Sequence, residues 1–388
     1  GLLVCWSNAV GGLILAQLKA LGWTDNSTTA TFSAITTAGM FLGALVGGII
    51  GDKTGRRNAF ILYEAIHIAS MVVGAFSPNM DFLIACRFVM GVGLGALLVT
   101  LFAGFTEYMP GRNRGTWSSR VSFIGNWSYP LCSLIAMGLT PLISAEWNWR
   151  VQLLIPAILS LIATALAWRY FPESPRWLES RGRYQEAEKV MRSIEEGVIR
   201  QTGKPLPPVV IADDGKAPQA VPYSALLTGV LLKRVILGSC VLIAMNVVQY
   251  TLINWLPTIF MTQGINLKDS IVLNTMSMFG APFGIFIAML VMDKIPRKTM
   301  GVGLLILIAV LGYIYSLQTS MLLITLIGFF LITFVYMYVC YASAVYVPEI
   351  WPTEAKLRGS GLANAVGRIS GIAAPYAVAV LLSSYGVR

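Results

Sequence analysis

The feature that most constrains this chain is a succession of eleven apolar segments, numbered here as spans 1 to 11. They cover residues 2–20, 31–51, 58–77, 82–106, 119–143, 151–171, 233–258, 270–292, 299–317, 320–346 and 360–385. An α-helix needs about 20 mainly apolar residues to cross the hydrocarbon core of a bilayer. Because a helix also satisfies its own backbone hydrogen bonds there, we predict an all-α, multi-pass membrane protein.

The composition fits a chain that is surrounded by lipid. Of the 388 residues, 56% are hydrophobic and 12% are charged, whereas a soluble domain typically carries about 25% charged residues. This balance excludes a water-soluble globular protein, and it excludes disorder, which needs high charge and few apolar groups. The net charge of +10 does not indicate nucleic-acid binding, because the basic residues lie in short connections between the spans.

The cysteine and histidine content argues against metal or redox chemistry. The five cysteines lie inside apolar segments without a C-x-x-C pair, which predicts small buried hydrophobes. They are Cys5, Cys86, Cys132, Cys240 and Cys340. A single histidine cannot form a metal cluster with other histidines, and no cluster of catalytic groups or P-loop is present. We therefore expect no cofactor, no metal and no enzymatic activity.

A polar stretch divides the chain into two parts of similar size. We predict an N-terminal helical bundle over residues 1–171, a linker with short helices over 172–230, and a C-terminal bundle over 231–388. Of the 28 lysines and arginines, 21 fall in alternate connections, which include the linker, and 4 fall in the opposite ones or at the C-terminal end. Positive charge concentrates on the cytoplasmic side, so we place the linker in the cytoplasm. The odd number of spans predicts a twelfth span beyond the end of the sequence.

Two charged motifs in the connections repeat at nearly one offset. Asp52 recurs as Asp293, 241 residues later, and Glu107 recurs as Glu349, 242 residues later. This repetition predicts two similar halves with a binding site at their interface. We interpret the charges as a latch that holds the cytoplasmic ends together in one conformation, with simple topology-setting by positive charge as the alternative. The predicted latch residues are Asp52, Arg56, Arg57, Glu107, Arg114, Asp293, Arg297, Glu349, Lys356 and Arg358.

These motifs resemble the major facilitator superfamily. The run Gly51–Arg57 is similar to its loop 2–3 signature, and Pro172-Glu173-Ser174-Pro175-Arg176 is similar to a run of its sugar-porter branch. The segment 359–375 resembles the metabolite and organic-ion transporters of that branch. The resemblance implies two pseudo-symmetric six-helix bundles in a monomer of the bacterial inner membrane. It also implies alternating-access transport of a small polar metabolite, such as an organic acid, polyol or sugar, by proton symport. A uniporter and a transporter-fold sensor remain open.

The sequence departs from the sugar-porter pattern at two places. The stretch Cys5–Val10 in span 1 carries no carboxylate, although sugar porters usually pair an acid there with the arginine of span 4. This puts the usual proton-coupling site in doubt. Span 7 carries Asn246, Gln249, Tyr250 and Asn254 in place of a glutamine-rich sugar cluster, which makes a hexose less favoured.

Four ionisable residues stand out inside the predicted spans, where a charge is costly and usually faces a cavity or a partner. Arg87 in span 4 and Arg368 in span 11 are predicted to bind or couple the solute, the alternative being structural ion pairing. In the resembling organic-ion transporters an arginine at the position of Arg368 accompanies anionic substrates. Glu64 and His67, three residues apart on span 3, form either a proton relay or a structural pair, with a Glu64–Arg87 bridge as a further alternative.

Polar and aromatic residues in four spans are predicted to line the cavity, because aromatic faces with amide tips suit a hydroxylated or carboxylated solute. Helix packing is the alternative for each of them. The predicted lining residues are Asn126, Trp127, Tyr129, Asn246, Gln249, Tyr250, Asn254, Trp255, Asn274, Tyr338 and Tyr341.

Overall fold

The computed structural model describes residues 2–108, 114–203, 226–262, 264–292, 294–318, 320–351 and 356–385. Within these ranges the chain is almost entirely helical and contains no β-strand. Spans 1 to 6 are Leu2–Ala20, Asn26–Thr54, Arg56–Ala75, Met80–Tyr108, Arg114–Asn126 with Ser128–Leu139, and Ala145–Tyr170. Spans 7 to 11 are Gly229–Thr262, Leu267–Met278 with Gly280–Val291, Arg297–Ser316, Met321–Cys340, and Lys356–Tyr385.

Each of the eleven predicted spans coincides with a helix or a pair of helices. Nine of them, in the part of the chain that is described, are long and apolar enough to cross a membrane. The other two are span 1 and span 5. The all-helical prediction is therefore confirmed for the described ranges.

Spans 5, 8 and 10 are not continuous α-helices. Span 5 breaks at Trp127 and span 8 breaks at Phe279. Each break lies three residues before a proline, Pro130 or Pro282, which has no N–H to donate to the carbonyl four residues earlier. Span 10 continues from Cys340 into a π-helix over Tyr341–Tyr346 and a short helix over Val347–Glu349.

Glycines allow the closest helix contacts inside each half. A Cβ added at Gly43 would collide with the carbonyl of Val92, and one at Gly95 would collide with the carbonyl of Met40, so spans 2 and 4 touch backbone to backbone. In the second half, a Cβ at Gly284 of span 8 would meet the carbonyl of Thr333 in span 10 in the same way. Small residues at such interfaces are typical of packed membrane helices.

The linker begins with two short helices, Pro175–Ser180 and Tyr184–Thr202. Ser174 caps the first through its side chain, which accepts from the Trp177 N–H. On the opposite face of the membrane, Asp25 caps span 2 by accepting from the Thr28 N–H at 2.7 Å, and this hydrogen bond holds the pKa of the Asp25 carboxyl below its usual range.

All five cysteines are free. Cys132 is buried as expected, whereas Cys240 is exposed on the outside of span 7. An exposed apolar thiol is tolerated there because the surface of a membrane bundle faces lipid rather than water.

Candidate functional site

The two halves touch backbone to backbone where span 1 crosses span 7. A Cβ added at Gly12 would collide with the carbonyl of Ile253 and lie 3.1 Å from the Cα of Asn254. The side-chain oxygen of Asn254 reaches the neighbouring Gly11, where an added Cβ would lie 3.8 Å from it. The crossing therefore brings a polar side chain of the second half next to the backbone of the first.

Arg87 lies beside this crossing, and the residue is 3% exposed. Its Nη2 packs against Gly11, its Nε donates to the Thr36 hydroxyl at 3.2 Å, and its Nη1 faces the Ser7 carbonyl at 3.4 Å. The Phe32 ring covers the guanidinium carbon at 4.7 Å. Spans 1, 2 and 4 thus hold the cation about 10 Å below the outer end of span 4, at a helical rise of roughly 1.5 Å per residue.

No carboxylate of the described residues pairs with Arg87. Glu64, the acid that lies in the interior of a described span, instead contacts the Nδ1 of His67 at 3.4 Å. Both are buried, and Gly93 of span 4 packs on the His67 backbone. The Nε2 of His67 has no hydrogen-bond partner in the described residues. The structure therefore has the Glu64–His67 pair and not the Glu64–Arg87 bridge.

A cluster of tyrosines lies between the halves. The rings of Tyr129 in span 5 and Tyr336 in span 10 meet edge to face with centroids 5.2 Å apart. Tyr129 also neighbours Asn8 and Tyr250, and Tyr336 neighbours Gln249. The Tyr336 hydroxyl is buried without a hydrogen-bond partner in the described chain.

Span 11 packs on the polar face of span 7. A Cβ added at Gly367 would approach the amide nitrogen of Asn246 to 3.0 Å, and one at Gly371 would approach the Tyr250 ring to 3.3 Å. Arg368, which directly follows Gly367, is half-buried, and its side chain makes no ion pair or hydrogen bond with the described residues. The second half thus also presents an arginine that has no counter-ion among the described residues.

Spans 5 and 8 join the halves at their breaks. The Trp127 and Phe279 rings meet edge to face at 6.4 Å. Nearer the outer side, the Asn274 amide donates to the Ser133 hydroxyl at 3.0 Å, and its carbonyl oxygen is buried without a partner in the described chain. Asn126 instead bonds to the Ser122 carbonyl of its own helix.

Three of the predicted lining residues lie in packing positions. Trp255 is fully buried beside Ala30 and Ala379 near the outer side. Tyr338 lies in the core of the second half, where its hydroxyl faces the Val241 carbonyl at 3.3 Å. Tyr341 donates to the Arg297 carbonyl at 2.9 Å.

The cytoplasmic charges form local contacts within each half. Arg297 pairs with Glu349 through two hydrogen bonds, Nε to Oε2 at 3.0 Å and Nη2 to Oε1 at 3.1 Å. In the first half, Glu173 of the linker accepts from the backbone N–H groups of Arg56, at 2.7 Å, and Arg57, at 3.2 Å. Asp293 and the side chains of the other predicted latch residues lie outside the described part of the chain, namely Asp52, Glu107, Arg114, Lys356 and Arg358.

Sequence reasoning found both arginines but missed several residues around them. Tyr336, Ser133, Thr36 and Phe32 were not predicted. Tyr336 lies in a span with three other tyrosines, and the sequence does not show which of them faces the opposite half. Thr36 and Ser133 are small polar residues of a kind that occurs throughout membrane helices. They are recognised only by their hydrogen bonds in the structure, Thr36 to Arg87 and Ser133 to Asn274.

The described residues form eleven spans in two halves, with buried polar groups at the interface between the halves, and this arrangement defines a multi-pass transport protein rather than an enzyme. The chain belongs to the Major Facilitator Superfamily, whose family description matches residues 1–375. This membership confirms the predicted fold of two pseudo-symmetric helical bundles.

Three similar proteins support the assignment. The chain is 44% identical over 378 residues to an inner membrane metabolite transport protein of Escherichia coli, YdjE, and the match covers 97% of this chain and 83% of the relative. It is 26% identical to the niacin transporter NiaP of Acinetobacter baylyi, over 89% of this chain and 77% of that one. The crystal structure of a D-xylose-proton symporter has the same fold, with a TM-score of 0.70 at 20% identity, over 100% of this chain and 87% of that one. The protein is therefore a metabolite transporter of this superfamily.

Proposed function

We propose that the protein carries a small organic anion across the bacterial inner membrane by alternating access, together with protons. One observation carries the proposal: the Arg87 guanidinium is buried beside the crossing of spans 1 and 7 and meets no carboxylate of the described residues. A charge inside the hydrocarbon is costly without a partner. The carboxylate of a bound solute would supply that partner.

The second half offers a matching group. Arg368 is half-buried on the span that packs against Asn246 and Tyr250, and its side chain has no ion pair with the described residues. Guanidinium groups bind carboxylates through two parallel hydrogen bonds. An anion held between Arg87 of one half and Arg368 of the other would favour a conformation in which the halves are close together, which is how a solute can drive alternating access.

The charges of the two arginines, rather than the names of relatives, indicate the solute class. The similar proteins are named for metabolites in general, for niacin and for xylose, so the names do not agree on one chemistry. The two arginines form no ion pair within the described ranges, and this favours an anion over a sugar or polyol. The amides and tyrosines of span 7 would orient the uncharged part of the molecule.

Proton coupling needs a group other than the missing span 1 acid. Glu64 and His67 form a buried acid–histidine pair on span 3, against the same span 4 that carries Arg87. Histidine is the side chain that titrates near neutral pH, so we assign proton uptake to this pair. Transport without proton coupling is the second candidate, because the pair lies on a helix that does not join the halves.

A thermal-shift screen on the purified protein tests the solute class. Organic acids, their uncharged amides, sugars and polyols are compared, because a ligand that binds the native state stabilises it. We expect stabilisation by an acid and not by its amide. Arg87→Gln and Arg368→Gln should each weaken its binding about 10- to 100-fold, as expected for a lost charge-assisted pair. Arg120→Gln, a change at an exposed arginine of span 5, is the matched control.

Uptake of that acid into proteoliposomes, with and without an inward pH gradient, tests the proton step. Symport predicts uptake that rises with the gradient, and indifference to it would favour the uniporter. Stabilisation by sugars or polyols alone, unchanged in Arg87→Gln, would contradict the anionic solute.

A further inference from the structure

A groove opens on the membrane-facing side where the cytoplasmic ends of spans 3 and 6 meet. Its volume is about 380 Å³, and its lining residues are Arg57, Asn58, Ile61, Leu62, Ala65 and Trp168. Leu62 is 44% exposed and Trp168 is 62% exposed, so the groove is open toward the lipid. The groove lies apart from the solute site, on the lipid-facing surface of the first half.

The cation in this groove lacks a counter-ion among the described residues. The Nη2 of Arg57 donates to the Trp168 carbonyl at the end of span 6, which fixes the guanidinium across the groove. Its Nε is buried without a partner, and its Nη1 forms no hydrogen bond with the described chain. The nearby Glu173 carboxylate is engaged by the backbone N–H groups of Arg56, Arg57 and Ser174.

Polar and apolar residues are separated along the groove. Arg57 and Asn58 lie at its cytoplasmic end, in the first turn of span 3, and Ile61, Leu62 and Ala65 follow one and two turns deeper into the membrane. Trp168 stands beside the polar end, at the depth where tryptophan is enriched in membrane proteins. This order matches a phospholipid, which has a phosphate at the interface and acyl chains below it.

We propose that this groove is a binding site for an anionic phospholipid of the cytoplasmic leaflet. The phosphate accepts hydrogen bonds from the free Nη1 of Arg57 and from the Asn58 amide, and one acyl chain lies along Ile61, Leu62 and Ala65. A net negative headgroup is favoured over a zwitterionic one, because no carboxylate of the described residues pairs with the guanidinium and a lipid amine would be repelled.

A second lipid-facing groove provides an internal comparison. It lies between spans 3 and 4, has a volume of about 390 Å³, and is lined by residues such as Val73, Ala85 and Val89, with no charged residue. That groove can hold an acyl chain of any lipid. A preference for anionic headgroups therefore has to come from a groove with a cation.

Native mass spectrometry of the detergent-purified full chain tests the proposal. Phosphatidylglycerol and phosphatidylcholine with identical acyl chains are added separately, and the lipid retained per protein is measured. We expect phosphatidylglycerol to be retained about five-fold better, the effect of one interfacial cation. Arg57→Gln should abolish this preference. Arg169→Gln, which removes a neighbouring exposed cation outside the groove, should keep it.

A second variant tests the same groove in case the Arg57→Gln protein misfolds. Ala65→Trp leaves the arginine intact but fills the apolar part of the groove, and it should also reduce retained phosphatidylglycerol. If Arg57→Gln and Arg169→Gln lose the preference for phosphatidylglycerol equally, the preference comes from general surface charge, and the proposal is overturned. Equal retention of the two lipids, or displacement of phosphatidylglycerol by millimolar inorganic phosphate, would overturn it as well.

Discussion

Glu173 is a linker residue that determines how span 3 begins. Its carboxylate accepts from the first two backbone N–H groups of that helix, where the helix dipole favours negative charge. Gly55 precedes these groups with φ of 96°, a conformation that favours glycine. A Cβ added at Gly55 would also collide with the Glu173 carboxylate. The loop 2–3 motif and the Pro-Glu-Ser-Pro-Arg run are therefore one structural unit.

Gly55→Ala should lower the thermal unfolding temperature more than Gly182→Ala does. Both glycines have positive φ, 96° and 72°, but nothing lies within 4 Å of a Cβ at Gly182. The control thus reports the strain of a left-handed backbone alone, roughly 1–2 kcal/mol, while Gly55→Ala adds the collision and, at φ 96° and ψ 159°, a backbone conformation that is essentially restricted to glycine. The measurement is thermal unfolding in detergent.

Removing the Glu173 carboxylate separates the backbone strain at Gly55 from the collision with that carboxylate. Glu173→Ala alone should cost about 1–2 kcal/mol, the range for a lost helix cap. Combined with Gly55→Ala, it should cost less than the sum of the single changes, because the colliding group is gone. Strictly additive losses would show that Glu173 does not touch Gly55.

At the scale of helices, the interface of spans 2 and 4 depends on glycine. Gly43→Ala should destabilise the protein by about 1–3 kcal/mol, because the backbones of the two helices have no room for a methyl group. Gly312→Ala in span 9 is the matched control, since nothing lies within 4 Å of its Cβ. It should be neutral or stabilising by up to about 1 kcal/mol. Thermal unfolding of both variants checks the difference, and an equal response would contradict the close approach.

The sequence predicts the helices well because hydrophobic length is a direct requirement of the bilayer. It does not predict the breaks at Trp127 and Phe279, although Pro130 and Pro282 are visible in it. Membrane helices tolerate proline when neighbouring groups satisfy the freed carbonyl. Whether a proline bends or interrupts a helix is therefore decided by tertiary contacts, here the packing of one break against the other.

The candidate site shows the same limit. Arg87 and Arg368 are visible from the sequence because a charge in an apolar span is rare. The position of Tyr336 opposite Tyr129 depends on how the halves dock, and one sequence supports more than one docking during transport. The contacts between the halves therefore differ from one conformation of the transport cycle to another, and the sequence alone does not specify them.

At the scale of the molecule, many contacts between the halves lie toward the side opposite the linker. Tyr376 of span 11 faces Thr31 of span 2 at 3.5 Å, and Ser133 bonds to Asn274 at 3.0 Å. Spans 5 and 8 stay in contact further toward the cytoplasm through other rings. Alternating access requires the outer contacts to separate once in each cycle.

A cross-link across the outer side should therefore stop transport. In the double variant Ser133→Cys with Asn274→Cys, the two thiols replace a pair of side chains that are in hydrogen-bond contact. We expect an oxidant to reduce proteoliposome uptake to the level of protein-free liposomes, because the halves can no longer part on that side. A reductant should restore the activity of the same sample, which separates locking from any effect of the substitutions on binding. Each single variant, treated in the same way, controls for the native cysteines. Full uptake by the cross-linked protein would contradict a cycle in which spans 5 and 8 separate at this level.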